Sequence, residues 1–357
     1  MNINKTFWQG KKVFITGCTG FKGSWLSLIL LNLGANLKGY SLAPPTQPSL
    51  FVVSDLQTEV FSIEADIRDS EWLEREIIAF QPEIVLHLAA QPLVLRSYEN
   101  PLETYETNVI GTVNLFEACR KAKSVRVILN VTSDKCYENK EWVWGYREND
   151  ELGGFDPYSS SKACAELVTR AYLKSFFNPQ IYNKHQVSLA SVRAGNVIGG
   201  GDWANNRLIP DAVRAFSKSE RLIIRRPHST RPWQHVLEPL RGYLMLCEMM
   251  YKNGKDFSGA YNFGPFESSV CTVKEAISKF CDLWGDNCSF EMIEDSSLFH
   301  EAGLLKLDIS KVKNKLSWKP SMNLKESLKE TAAWYKCFYQ NPSQIKELTL
   351  KQINGYL

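Results

Sequence analysis

The amino-acid sequence predicts an α/β protein built on a doubly wound parallel sheet, with a smaller mixed lobe towards its C-terminus. Short apolar runs of strand length alternate with helical stretches through about residue 195. A glycine-rich turn joins the first of these runs to the first long helix. The chain has 357 residues, more than one ordinary domain, which favours two lobes or one large α/β domain.

The composition indicates a globular protein with a sizeable core, since 44% of residues are hydrophobic and 23% are charged. A formal net charge of +3 is too small to indicate nucleic-acid binding. The nine cysteines form no CxxC pair or Cys/His cluster, which favours reduced thiols in the cytoplasm over a structural zinc site. We also expect no signal peptide, and the longest apolar stretch, near Trp25–Leu33, is too short to span a membrane.

The first strand and helix enclose a turn suited to a dinucleotide. The strand Lys12–Thr16 runs into glycines at positions 17, 20 and 23, and Ser24–Leu33 reads as an apolar helix. Glycines permit a tight turn, and the following helix N-terminus offers N–H groups to a pyrophosphate. The alternative is an ordinary strand-to-helix turn, but the strand–turn–helix context favours the dinucleotide.

The other predicted elements follow the same alternation. Strands are predicted at Asn36–Leu42, Val60–Glu64, Ile84–Ala90, Val125–Val131, Val187–Val192, Leu222–Arg226 and Tyr261–Gly264. Helices are predicted at Ser70–Phe80, Pro101–Ala122, Leu208–Phe216, Thr272–Leu283 and Asn323–Tyr339. The second strand ends without an acidic residue, so the sequence does not distinguish NAD from NADP there.

Further cofactor candidates lie after the third and fourth strands. Asp66 could accept a hydrogen bond from an adenine amino group or could cap a helix, and the sequence favours neither interpretation over the other. Ala89 and Ala90 are small enough to let a cofactor approach the end of the fourth strand. His87, within that strand, is interpreted as a core histidine.

Tyr158 and Lys162 are four residues apart, so on a helix they share one face. An ammonium near a phenol favours phenolate, and a phenolate can take the proton of a sugar hydroxyl. Alone this pair also fits a solvated helix face. Its position after the apolar run Val125–Val131 and the polar segment Thr132–Tyr137 favours catalysis.

Arginines after the Gly199–Gly201 segment suggest phosphate recognition. Arg225, Arg226 and Arg231 lie close together in the sequence, and planar guanidinium groups bind phosphates in a bidentate manner. Exposed arginines are more often simply solvated, and the glycine segment by itself reads as a plain turn.

Four motifs together resemble the extended short-chain dehydrogenase/reductase superfamily. They are TGxxGxxG at Thr16–Gly23, the strand end HLAA at His87–Ala90, TNVxGTxNLxEA at Thr107–Ala118, and the Tyr158/Lys162 pair. The segments Arg193–Gly199, Arg231–Trp233 and Leu307–Pro320 are similar to those of nucleotide-sugar enzymes. The Thr-Asp-Glu of nucleotide-sugar 4,6-dehydratases corresponds here to Ser133, Asp134 and Lys135, with an amine in place of the glutamate.

The resemblance implies a Rossmann fold that holds NAD and a nucleotide sugar. Tyr40–Phe51, Thr132–Glu148 and Gly199–Ala204 are most similar to family members acting on CDP-glucose. The implied cofactor-binding residues are Gly17, Gly20, Phe21, Gly23, Asp66, Ile67, Ala89, Ala90, Asn108, Tyr158 and Lys162. The implied substrate-binding residues are Gln91, Arg193, Asn196, Trp203, Arg226 and Arg231. Residues 1–192 and about 234–263 would bind NAD, and about 193–233 and 264–357 would bind the sugar nucleotide.

The implied reaction removes water across C5 and C6 of the sugar. Tyr158 would take the 4-OH proton, Lys162 would lower the pKa of Tyr158 and bind the nicotinamide ribose, and Ser133 would contact the substrate near O4. Protonated Asp134 would donate to the departing 6-OH. Lys135 would either remove the C5 proton as a neutral amine or stabilise the enolate as a cation, and the sequence leaves both roles open.

Two other functions compete with dehydration. A 4-epimerase shares the fold, the tyrosine and the lysine, but needs no acid after Ser133. A non-catalytic dinucleotide-binding scaffold would be expected to lack Tyr158 or Lys162. The resemblance further implies a cytoplasmic enzyme of deoxysugar and lipopolysaccharide biosynthesis without metal or membrane contact. It implies a homodimer or homotetramer formed through the helices Pro101–Ala122 and Asp156–Phe176.

Overall fold

The computed structural model describes residues 3–285, 288–293 and 303–357, and thirteen strands lie within these ranges. They are β1 Lys12–Thr16, β2 Asn36–Ser41, β3 Phe61–Glu64, β4 Ile84–His87, β5 Val127–Val131, β6 Ser188–Ala194, β7 Val197–Ile198, β8 Leu222–Ile224, β9 Thr230–Pro232, β10 Gln234–His235, β11 Gly259–Phe263, β12 Val270–Thr272 and β13 Phe290–Met292. Seven of them form one sheet in the order β3-β2-β1-β4-β5-β6-β11, and every pairing in it is parallel. The predicted parallel sheet is therefore confirmed.

The helices described lie mostly between these strands. They are α1 Lys5–Trp8, α2 Phe21–Asn32, α3 Leu50–Val53, α4 Leu56–Glu59, α5 Ser70–Phe80, α6 Val94–Glu99, α7 Pro101–Tyr105, α8 Gly111–Lys121, α9 Pro157–Ser175, α10 Tyr182–His185, α11 Leu208–Ser217, α12 Leu237–Phe257, α13 Val273–Trp284, α14 Ser310–Leu316, α15 Leu324–Gln340 and α16 Ile345–Tyr356. No helix in the described part of the chain combines the length and apolarity needed to cross a bilayer.

The sheet separates two hydrophobic layers, because successive residues of a strand point to opposite faces. Val13 and Ile15 of β1 belong to the cluster that contains α2 and α12. Phe14, between them, belongs to the cluster that contains α5 and α8. A sheet covered on both faces leaves its strand ends as the exposed edge, and the order reverses between β1 and β4. That edge is where α/β proteins of this type bind ligands.

The predicted helix Pro101–Ala122 is continuous but not regular. Its middle, Glu106–Ile110, is a π-helical segment between α7 and α8. Gly111 follows this segment, and a Cβ there would lie 2.7 Å from Cγ2 of Ile67. The missing side chain therefore lets α8 approach the end of the third strand closely. Short π-helical segments within α-helices are frequent at functional sites.

The C-terminal part combines helices with two-stranded pairings. β9 pairs with β12 and β8 pairs with β13. Helices α13 and α15 begin at capping boxes, the second formed by the predicted pair Asn323 and Glu326. Helices α12 and α16 were not predicted. Pro239 lies in the first turn of α12, where a missing N–H breaks no helical hydrogen bond.

Candidate functional site

The turn between β1 and α2 is shaped by two glycines. Gly17 has a φ of +74°, and a Cβ there would lie 2.6 Å from the backbone nitrogen of Ala89. A Cβ on Gly23 would lie 2.1 Å from the carbonyl oxygen of Gly17. A side chain at Gly17 would therefore clash with the chain at the end of β4, and one at Gly23 would clash with the turn itself. Ala89 therefore lies beside the turn.

The N-terminus of α2 is open to a ligand. Gly20 is the N-cap residue and no side chain caps the helix. The first N–H groups of a helix have no partner within it, and they attract phosphate together with the helix dipole. Phe21 begins this helix, and the Ser24 hydroxyl turns back to the carbonyls of Cys18 and Gly20. The turn fits a dinucleotide pyrophosphate.

Asp66 and Ile67 lie just after β3. The Asp66 carboxylate accepts hydrogen bonds from Arg68, which lower its pKa, and Asp69 rather than Asp66 caps α5. The helix-cap interpretation of Asp66 is therefore wrong. Tyr40 donates a 3.0 Å hydrogen bond to the Asp66 carbonyl, and Ile67 is buried under α8.

Asn108 and Gln91 form several hydrogen bonds within the protein. Asn108 Oδ1 accepts from the Gln91 N–H at 2.8 Å, while Nδ2 donates to the Gln91 carbonyl at 3.1 Å and to Ser161 Oγ at 2.8 Å. The Gln91 side chain bonds to Leu93 and Thr104. These bonds fix the path of the chain after β4, and contacts of Asn108 with cofactor and of Gln91 with substrate stay predictions. Ala90 stands between Ala89 and Gln91 in the sequence.

Ser133 and Asp134 follow β5 and lie at its carboxyl end. Ser133 Oγ donates to Asp134 Oδ1 at 3.1 Å and accepts from the Lys135 N–H at 3.2 Å. Asp134 Oδ2 is buried without a hydrogen-bond partner. Burial raises the pKa of Asp134, although the charges of Lys135, Lys22 and Arg231 oppose the shift. A buried carboxyl with one free oxygen is suited to donating a proton to a ligand.

Tyr158 and Lys162 are buried on α9, next to the Ser133 turn. Burial raises the pKa of Tyr158 to about 12, and Ser133 and Arg207 act in the opposite direction. The predicted lowering of the phenol pKa is therefore corrected, because burial outweighs the Ser133 hydrogen bond and the charge of Arg207. Burial also lowers the pKa of the Lys162 ammonium to about 8, with a further contribution from Lys22.

Three charged residues that the sequence analysis missed belong to this cluster. Burial and the charge of Arg207 lower the pKa of Lys22 to about 8, while Asp134 and Asp202 oppose this. Arg207 Nη1 donates to Asp202 Oδ2 at 2.8 Å. Lys22 lies inside the glycine-rich turn and Asp202 directly after Gly199–Gly201. A charged residue within or next to a glycine-rich segment was the sequence signal that could have identified Lys22 and Asp202.

Two of the predicted substrate-binding residues, Arg193 and Trp203, are buried among protein side chains. Arg193, on β6, is 2% exposed, and its Nη2 forms a 2.6 Å ion pair with Glu166. Trp203 is buried against Trp334, Tyr335 and Phe338, with ring centroids 4.9 to 5.8 Å away. Both side chains are enclosed by protein, and their contacts with substrate stay predictions.

The remaining candidates lie after β6 and β8. Arg231, on β9, is buried near Asp134, and its Nη1 donates to the carbonyls of Thr230 and Gly303. Asn196 is half-buried and its carbonyl accepts from the Gln234 N–H at 3.0 Å. Arg226 is half-buried in the turn between β8 and β9. Of these three, Arg231 is joined to the Asp134 cluster.

Comparison with known proteins places this geometry in a family. The family model described as GDP-mannose 4,6 dehydratase matches residues 14–331. The chain belongs to this dehydratase family. It is 53% identical over 355 residues to the CDP-glucose 4,6-dehydratase of Salmonella typhimurium strain LT2, covering 99% of this chain and 98% of the relative. It is 26% identical to the dTDP-glucose 4,6-dehydratase of Shigella flexneri, over 91% and 92% of the two chains.

Solved structures agree with the fold of the dehydratase family. The epimerase Mth375 of Methanothermobacter thermautotrophicus matches with a TM-score of 0.78 at 22% identity, covering 97% of this chain and 96% of that one. MoeE5, solved in complex with UDP-glucose and NAD, matches with a TM-score of 0.74 at 24% identity, over 92% and 100% of the chains. These likenesses show that the chain shares the fold of these structures.

Proposed function

We propose that this protein is an NAD-dependent CDP-glucose 4,6-dehydratase, a hydro-lyase that converts CDP-D-glucose to CDP-4-dehydro-6-deoxy-D-glucose and water. The observation that carries the proposal is the buried Asp134 carboxyl, whose Oδ2 has no partner and whose pKa is raised. Elimination of the 6-OH requires a proton donor, whereas 4-epimerisation does not. The 53% identity to a CDP-glucose 4,6-dehydratase supports both the reaction and the substrate.

The cofactor would lie along the carboxyl edge of the sheet. Gly17, Gly20, Phe21 and Gly23 would receive the pyrophosphate, Asp66 and Ile67 would meet the adenine, and Ala89 and Ala90 would leave room beside β4. Bound NAD supplies the acceptor and later the donor of the hydride. Lys162 would bind the nicotinamide ribose, as its position one turn from Tyr158 on α9 allows.

The reaction steps assign one role to each side chain of the cluster. Tyr158 removes the proton of the 4-OH, and Ser133 holds the oxygen from which it leaves. The resulting 4-ketone acidifies the C5 hydrogen. Asp134 then protonates the departing 6-OH, which releases water. Lys135 acts at C5, where it either takes the proton or stabilises the enolate, and its half-buried position beside Asp134 permits both.

A panel of CDP-, dTDP-, GDP- and UDP-glucose tests this function directly. We expect CDP-glucose to be turned over fastest and mass spectrometry to show a product that has lost one water. A product of unchanged mass with inverted C4 would identify a 4-epimerase. Binding of dinucleotide without turnover of any sugar would identify a scaffold.

The two parts of the chain divide this work. Residues 1–192 and about 234–263 would hold NAD, in accord with the pairing of β11 with β6 in the same sheet. Residues 193–233 and 264–357 would hold the sugar nucleotide through Arg231, Arg226 and Asn196. The predicted segment up to residue 357 includes 286–287 and 294–302, which lie outside the described residues.

We also propose a cytoplasmic homodimer or homotetramer that serves deoxysugar and lipopolysaccharide biosynthesis. Nine free cysteines support a reducing compartment. Leu102 (71% exposed), Ile110 (52%) and Leu167 (44%) present apolar surface on the two helices expected to pair between subunits. Ile110→Glu with Leu167→Glu should reduce the mass measured by light scattering, and an unchanged mass would reject this interface.

A further inference from the structure

A second buried carboxylate, Glu166, lies one helical turn after Lys162 on α9. Its Oε1 accepts a 2.5 Å hydrogen bond from the Thr132 hydroxyl. Its Oε2 accepts from Ser191 Oγ at 2.7 Å and from Arg193 Nη2 at 2.6 Å. The side chains of Glu166 and Arg193 are each 2% exposed. Almost no solvent reaches this pair, and the carboxylate bonds to β6 and to the residue that follows β5.

These bonds join the two parts of the catalytic cluster. Helix α9 carries Tyr158 and Lys162, whereas Thr132 directly precedes Ser133 and Asp134 at the end of β5. The Thr132 N–H also donates to the Val192 carbonyl at 2.9 Å, so the residue is held on two sides. Glu166 therefore fixes the distance between the helix and the turn whose side chains must meet on one sugar.

Arg193 extends the same network towards the residues after the turn. Its Nη1 donates to the Tyr137 hydroxyl at 2.6 Å and to the Glu148 carbonyl at 3.2 Å. The Tyr137 hydroxyl donates to Asn262 Oδ1 at 2.8 Å. The guanidinium thus bonds to both ends of the segment 137–148. Its positive charge compensates the negative charge of Glu166.

The charges around Lys162 define what Glu166 supplies. Lys22 on α2 repels the Lys162 ammonium, while Glu166 on α9 and Cys136 in the turn after β5 favour it. His87 on β4 also faces Lys162, and burial lowers the pKa of its imidazole to about 3 so that it adds no charge. Burial opposes ionisation of Glu166, yet Arg193 and the three hydrogen bonds lower its pKa. Among these described neighbours, Glu166 is the permanently ionised group that favours the charged form of Lys162.

We propose that Glu166 is a positioning residue for the dehydration: it holds Thr132, and with it Ser133 and Asp134, against α9, and it keeps Lys162 protonated at neutral pH. This inference rests on the proposed function, because it presupposes that Lys162 binds the cofactor ribose as an ammonium. It assigns no contact with the substrate to Glu166 or Arg193. It also explains why Arg193, near the predicted phosphate site in sequence, is enclosed in protein.

The test separates the electrostatic role from mere support of the fold. Glu166→Gln keeps the shape but leaves Arg193 charged and unpaired, and a broken buried pair is strongly destabilising. The double variant Glu166→Gln/Arg193→Met removes both charges and relieves that penalty. NAD affinity and kcat are measured against pH for the wild type, the double variant and, where it folds, Glu166→Gln.

We expect the alkaline loss of NAD affinity and of kcat to move about one pH unit lower in the double variant, the scale on which a neighbouring opposite charge shifts a pKa. The control Glu117→Gln removes a partly exposed carboxylate bonded to Tyr172 and Arg120, and should leave the pH dependence unchanged. A folded double variant with the wild-type pH dependence would overturn the proposal. Absence of dehydration by the wild type would instead reject the proposed function and leave the pH dependence of NAD affinity to test Glu166.

Discussion

Ser133 donates a 3.1 Å hydrogen bond to Asp134 Oδ1 and leaves Oδ2 of the same carboxyl buried without a partner. The two residues follow β5 directly, so the sheet edge aims them at the cleft beside α9. Burial raises the pKa of Asp134 and, separately, that of Tyr158. The site thus holds a carboxyl that can give a proton next to a tyrosine that, once ionised, can take one; the proposed dehydration needs an acid for the 6-OH and a base for the 4-OH.

Replacement of Tyr158 tests the first proton transfer. Tyr158→Phe should lower kcat by at least ~100-fold, the usual contribution of a positioned base. Binding of CDP, followed by calorimetry, should stay intact, because only the hydroxyl is removed. Near-wild-type turnover by this variant would exclude Tyr158 as the base at the 4-OH.

Replacement of Asp134 should have opposite effects on activity and stability. Asp134→Asn should still reduce bound NAD but stall before water leaves, because an amide gives no acidic proton to O6. The raised pKa means that ionised Asp134 destabilises the fold at neutral pH, and that this cost disappears as pH falls below the ordinary carboxyl pKa of about 3.9.

Thermal melts of wild type and Asp134→Asn across this range give the corresponding check. The variant should melt at a higher temperature at pH 7, and the difference should shrink on acidification. A variant that melts at a lower temperature than the wild type at pH 7 would show that the site stabilises the ionised carboxylate rather than destabilising it.

Arg231 is the arginine expected to contact the substrate diphosphate. Arg231→Ala should raise KM for CDP-glucose about tenfold or more while kcat falls far less, because a charge-assisted bond to phosphate is lost in ground and transition states alike. Arg221→Ala is the matched control, since Arg221 is exposed and pairs with Glu291 at 3.2 Å. Equal KM values for both variants would remove Arg231 from the phosphate site.

Lys135 separates oxidation at C4 from chemistry at C5. Lys135→Ala should spare reduction of bound NAD and slow the exchange of the C5 proton with solvent, whichever of its two roles applies. Single-turnover absorbance and NMR in D2O measure the two steps separately. Loss of C4 oxidation with normal C5 exchange of added 4-keto intermediate would contradict the assignment.

The sheet could be predicted closely because its strands are apolar runs bounded by turns. The strand predicted at Ile84–Ala90 ends instead at His87, since the Ala89 backbone leaves the sheet to meet Gly17. Helix α12 was missed although its Pro239 is harmless in a first turn. The π-helical segment around Asn108 also has no signal in apolar periodicity.

The site could be predicted where its residues are close in sequence and not where they are assembled by packing. Ser133, Asp134, Tyr158 and Lys162 form short motifs, and the structure brings them together. The ion pair of Arg193 with Glu166 could not be predicted, because Glu166 is on another element and becomes a neighbour only through folding. Burial, which the sequence does not display, decides the direction of the Tyr158 pKa.

Isotope transfer tests the central claim most directly. CDP-glucose carrying deuterium at C4 should give a 4-keto product with that deuterium at C6, because the same bound nicotinamide accepts and returns the hydride. The reaction in D2O should also place solvent deuterium at C5, because the elimination removes that proton. Deuterium returned to C4, with the C5 hydrogen unexchanged, would contradict dehydration and establish a 4-epimerase.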